Sequence, residues 1–128
     1  MNIPKLSFTI LPDLFAICKL AARENLPSWA FRGGFSSVTQ TPEELSIVCP
    51  QNLVPAGVEA TKGWKSLKIE AKLDFEMVGI VSSITSSMAE AGISIFAVST
   101  FNTDYFFIKE EDLGTGVAAL RKAGHEVR

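Results

Sequence analysis

Between Leu67 and Arg128 the spacing of apolar residues changes from two to three or four and back, twice, and no other feature of the chain constrains the fold as much. Leu67, Ile69, Ala71 and Leu73 alternate with Lys68, Glu70 and Lys72, a pattern that buries one face of a strand. Ile80, Val81, Ile84, Met88 and Ala91 then recur at helical spacing. Ser82, Ser83, Ser86, Ser87 and Glu90 fall on the opposite side, and Gly92 suits a left-handed stop. Strands are predicted over 93–99 and 105–108, joined by a corner at Phe101, Asn102, Thr103 and Asp104, where Asn and Asp favour a bend. A second helix opens at Glu110, Glu111 and Asp112 and turns Leu113, Val117 and Leu120 inward. It closes at Gly124 behind Arg121 and Lys122, as the helix dipole prefers. Residues 125–128 form a last strand. The order is βαββαβ, the split βαβ arrangement of ferredoxin-like folds, with two helices on one sheet face and the other face bare. A core of about 65 residues is small, so the bare face needs a surface to pack on.

Upstream, strands are predicted over 6–10, 14–20, 35–40 and 45–49. Pro12 with Asp13, Gly33 with Gly34, and the Thr41-Pro42-Glu43 stretch supply the turns between them. Pro27-Ser28-Trp29-Ala30 suits a short helical turn, with proline where its missing N–H costs nothing. Residues 51–63 lose strand periodicity and collect Pro55, Gly57 and Gly63. They mark the connection between a strand-rich half, 1–62, and the βαββαβ half, 63–128. The class is α+β, and 128 residues with 47% apolar content suffice for one compact domain or two tightly packed halves.

Twelve basic residues against 14 acidic ones leave no electrostatic footprint for nucleic acid or anionic lipid. No apolar run approaches the roughly 20 residues that span a bilayer. The first ten residues carry Pro4 and Lys5 ahead of alternating Leu6, Phe8 and Ile10 and lack a signal peptide's apolar block, so cytoplasmic residence is expected. Cys18 and Cys49 each sit in an apolar run and read as small buried hydrophobes rather than a disulfide.

Catalytic chemistry is not expected. His125 is the only histidine and lies near the carboxyl end, far from what a metal site or a Ser-His-Asp relay needs. Gly114-Thr115-Gly116 lacks the third glycine of a nucleotide-binding turn. Glu110, Glu111 and Asp112 match a helix dipole rather than a calcium loop, and the serines at 82, 83, 86 and 87 have no adjacent base. Neither cofactor nor metal is implied. Gly79, at the start of the first helix, either eases the turn into it or lets an anion approach the N–H groups of its first turn. Asp104 either caps a turn or accepts hydrogen bonds from a cation, and Glu76 either supports the helix dipole or does the same.

Three stretches carry a resemblance: Gly79-Ile80-Val81, Ala91-Gly92-Ile93-Ser94, and the run from Val98 to Tyr105 with Lys109 to Leu113 behind it. They resemble the ACT domains of the CASTOR-type arginine sensors. The Leu11-Pro12 turn, the Trp29 region and the strand from Ser46 to Pro50 are similar to the first half of small bacterial proteins with two tandem ACT-like halves. The resemblance implies two tandem ferredoxin-like halves, a regulatory or sensing role without catalysis, and an amino acid bound where ACT halves meet, commonly within a homodimer. It assigns ligand contacts to Phe75, Glu76, Met77, Val78, Gly79 and Ile80 before and into the helix. Ser99, Thr100, Phe101, Asn102, Thr103 and Asp104 join them from the strand corner. The competing expectation is a structural module whose bare sheet face serves oligomerisation and whose pocket binds nothing.

Overall fold

The computed structural model describes residues 5–70 and 79–128, and the chain divides into two compact units. One consists of residues 1–12 and 65–128, the other of residues 13–64.

The larger unit is built from β1 (Ser7–Ile10), the end of β5 (Glu59–Ile69), α1 (Ile80–Glu90), β6 (Ile95–Ser99), β7 (Asp104–Lys109), α2 (Leu113–Lys122) and β8 (Glu126–Val127). The expected order is present, since β5, α1, β6, β7, α2 and β8 give βαββαβ. Its sheet runs β6-β7-β5-β1-β8, with β1 antiparallel to β5 and parallel to β8. The amino-terminal strand therefore belongs to this unit and not to a first half of residues 1–62. The alternation of Leu6, Phe8 and Ile10 specifies a buried face, and the partner that completes it is the core beneath α1 and α2. Phe8 is fully buried there with Leu67, Ile69, Ile84, Met88, Phe106, Ile108 and Leu120. Burying a phenylalanine of this kind contributes about 1.5–3 kcal/mol.

Both helices sit where the spacing predicts. Ile80, Ile84 and Met88 are the buried stripe of α1, while Val81, expected on the same stripe, is exposed. One residue of helix is about 100° of rotation, which carries Val81 off the stripe. Gly92 and Gly124 end the helices with φ of 75° and 97°. The acidic Glu110–Asp112 turn precedes α2, and Arg121 and Lys122 close it.

The smaller unit is a four-stranded antiparallel sheet in the order β3-β4-β2-β5, from β2 (Phe15–Leu20), β3 (Ser37–Gln40), β4 (Leu45–Pro50) and the first part of β5. It contains the expected helical turn as a 3-10 segment, Ser28–Phe31, and no α-helix, so the βαββαβ order is confined to the larger unit. Ala16, Cys18, Leu45, Ile47, Cys49 and Val54 form its core, and both cysteines are buried and free.

The stretch expected as an irregular connection is partly strand. β5 begins at Glu59, eight residues before Leu67, because Lys19, Cys18 and Ile17 of β2 pair with Glu59, Ala60 and Thr61. Gly63 hides the continuity: with φ at 86° it forms a bulge in which Lys62 and Gly63 together face Ala16.

Candidate functional site

The corner between β6 and β7 is set by hydroxyl groups before any ligand is considered. Ser99 and Asp104 are the last cross-strand pair, and the Thr100 N–H closes the turn on the Thr103 carbonyl at 2.8 Å. The Thr100 hydroxyl donates to that carbonyl at 3.1 Å and accepts the Thr103 N–H at 3.2 Å. Buried Thr103 donates its hydroxyl to the Ile69 carbonyl at 2.7 Å, which ties the corner to the end of β5. The hydroxyls of Thr100 and Thr103, two of the expected contact residues, are thus held by the backbone. Ser99, Phe101 and Asn102 are exposed, Phe101 at 74%.

Asp104 is the exception in this polar turn. It starts β7 on the face that carries Phe106 and Ile108 into the core, and it is only 7% exposed. No side-chain hydrogen bond or ion pair holds its carboxylate among the described residues.

The first turn of α1 lies toward the same end of the sheet. At the far end, a Cβ built on Gly116 would lie 2.8 Å from Ile108 Cδ1 and 3.6 Å from Met88 Sδ, so the last turn of α1 sits over Ile108. From there the chain passes through Gly92 to Ile95, whose cross-strand partner is again Ile108. Ile80 lies two helical turns back from Met88, about 12 Å along the axis, and is buried in the same core as Phe106 and Ile108. Gly79 caps this helix with φ of 85° and ψ of 4°, a conformation that disfavours any residue with a Cβ. The Ser83 N–H reaches the Gly79 carbonyl at 2.8 Å, no side chain caps the preceding N–H groups, and no acid occupies the first turn. Among the described residues, nothing caps the positive end of this helix.

The structure places Gly79 and Ile80 at the start of α1 and Ser99 to Asp104 at the corner between β6 and β7. Phe75, Glu76, Met77 and Val78 lie outside the described residues. The cleft of about 510 Å³ between α1 and α2 is lined by exposed and small side chains including Ser87, Glu90, Ala119 and Lys122, and none of these positions borders it. No group of three His, Cys, Asp or Glu residues suited to a metal occurs among the described residues.

Two residues were missed by sequence reasoning. His125 is 7% exposed, accepts the Leu6 N–H on Nδ1 at 3.1 Å, and meets the edge of Phe8 at 5.7 Å. Burial lowers its pKa below 6.5. The signal was available: His125 alternates with Val127, which shares its buried face. Gly116 is buried in α2 against Ile108, and a glycine inside a helical pattern is the only trace of that approach.

Comparisons with known proteins bear on the family and the fold. The ACT-domain family model matches residues 59–122, and a second model, for an N-terminal domain, matches residues 13–57. The human protein named Cytosolic arginine sensor for mTORC1 subunit 1 is 33% identical over 60 residues, 46% of this chain and 18% of that protein. The chain therefore spans under a fifth of that relative. A protein of solved crystal structure from Agobacterium tumefaciens is 38% identical with a TM-score of 0.92, over 98% of this chain and 94% of that one. The aspartate kinase of Clostridium acetobutylicum, described as an allosteric enzyme, has a TM-score of 0.69 at 12% identity, over 96% of this chain and 35% of its own, a likeness of fold. No helix among the described residues is long and apolar enough to cross a membrane. With its ACT match extending over half of the 128 residues, this chain belongs to the ACT-domain family.

Proposed function

We propose that the protein is a regulatory or sensing protein, without catalysis of its own, that binds an amino acid at the end of the ACT sheet. The ligand carboxylate sits on the open first turn of α1, and its ammonium group meets Asp104. The observation that carries this reading is the carboxylate of Asp104, 7% exposed and without a side-chain partner among the described residues. A cation brought to it gains a charge-assisted hydrogen bond, about 1.5–3 kcal/mol. The relative named as an arginine sensor and the fold shared with an allosteric kinase support an amino acid as the ligand class. Phe75, Glu76, Met77 and Val78 complete the proposed contact set.

Calorimetric titration of the full chain with the standard amino acids tests this. At least one is expected to bind, and Asp104→Asn is expected to weaken it by at least about ten-fold, the loss of one charge-assisted contact. If no amino acid binds or raises the melting temperature, the sensing role falls.

A further inference from the structure

We infer that Cys18 and Cys49 form an oxidative-modification site, a thiol pair that a peroxide converts reversibly into a disulfide between β2 and β4. The inference concerns the smaller unit alone and stands apart from the amino-acid reading. Cys18 pairs across the ladder with Ile47 and Cys49 pairs with Ala16, so the two cysteines are diagonal neighbours on adjacent antiparallel strands. Both turn into the same core, with Ala16, Ala30, Leu45 and Ile47 around them, and their thiols share a hydrogen bond. Every residue of this unit, 13–64, is described. Diagonal neighbours stand about 7–8 Å apart and a disulfide joins Cα atoms about 4.4–6.8 Å apart, so closure draws the strands together by about 1–2 Å. A bond formed under such strain is readily reduced again, which suits a reversible modification rather than a structural link.

The two thiols are not equivalent. The hydrogen bond with Cys49 holds Cys18 below its ordinary pKa; burial opposes this, and the positive charge of Lys62 adds to it. The same hydrogen bond pushes Cys49 up, and burial acts in the same direction. Cys18 is therefore the thiolate that attacks and Cys49 the thiol that resolves. The Cys18 sulfur displaces hydroxide from the peroxide: an S–O bond forms, the O–O bond breaks, and the sulfur is oxidised to a sulfenic acid while the peroxide is reduced. The Cys49 sulfur then attacks that of Cys18; the S–S bond forms, the S–O bond breaks, and the Cys49 proton leaves with the hydroxide as water. Both thiols are buried, so the oxidant reaches them through local opening, and the bulge at Lys62 and Gly63 interrupts the ladder next to β2.

The test treats the full chain with hydrogen peroxide and follows intact mass and thiol count. The expected product is a single chain lighter by two hydrogen atoms, with both thiols lost and both restored by dithiothreitol. With dimedone present during the reaction, the trapped sulfenic acid is expected on Cys18 at least about ten-fold more often than on Cys49, and this ratio is expected to fall close to one in urea. In Cys49→Ala the reaction is expected to stop at the Cys18 sulfenic acid or its further oxidation products. Gain of oxygen by the parent chain without loss of the two hydrogens overturns the inference, as does a disulfide between two chains or a preference for Cys49. So does survival of both thiols at a peroxide dose that oxidises the urea-unfolded chain completely.

Discussion

The close approach of Gly116 to β7 makes a sharp test of how the ACT core is packed. Replacing Gly116 by alanine in the middle of α2 gains about 1 kcal/mol of helix propensity. The new methyl, however, would stand 2.8 Å from Ile108 Cδ1, where carbon atoms rest at about 3.5–4.0 Å. Ile108 and Met88 are fully buried and Ile93 nearly so, and the surroundings cannot yield into solvent. Over-packing of this kind costs about 1–3 kcal/mol, so the net effect of Gly116→Ala is a loss of about 0–2 kcal/mol. Ile108→Val removes the clashing Cδ1 and alone costs about 0.5–1.5 kcal/mol. In the double variant the alanine methyl fills the space vacated by Cδ1 and the propensity gain returns, which leaves stability close to that of the parent protein. The coupling between the two sites is thus about 1–3 kcal/mol, measured by urea unfolding of the four proteins of the cycle. Additive single and double variants, within about 0.5 kcal/mol, would refute the packing argument.

Two further outcomes follow from groups beside this core. Because burial lowers the pKa of His125 below 6.5, the unfolded chain takes up a proton at that position before the folded one does. Stability is therefore full above pH 6.5 and falls as the pH drops toward the lowered folded value; melting temperatures between pH 7.5 and 5 should show this decline, and His125→Gln should flatten it. Thr103→Val removes the hydroxyl that reaches the Ile69 carbonyl at 2.7 Å, and is expected to cost about 1–3 kcal/mol in urea unfolding, against nearly nothing if that bond is incidental.

Much of the larger unit was legible because periodicity reports burial directly. Both helices, their glycine stops and the strands around the corner follow from spacing alone. Period two, however, names a face and not a partner, and Leu6, Phe8 and Ile10 suit any sheet with a vacant position. β5 was half concealed because pairing with β2 overrides the turn signals of Gly57 and Gly63. The corner was readable as a corner, but its sequence did not separate the threonines, which serve the backbone, from Asp104, which does not. An aspartate in a bend is most often a local cap, and only the burial of Asp104 beside a core strand distinguishes it. Val81 and Phe101 show the converse, since hydrophobic residues are assigned to the core by default and their exposure is visible only in three dimensions.

The position of β1 between β5 and β8 has a consequence for how the protein comes into being. Leu6 is bonded to His125 across 119 positions, so β1 must wait for a segment synthesised long after it before its second edge is filled. The entropic penalty of so wide a closure grows only logarithmically, but the delay leaves an apolar ribbon searching for neighbours until β8 emerges. A fragment of residues 65–128 produced alone would face the complementary difficulty, with β5 and β8 confronting each other across an empty slot and open to capture by another chain.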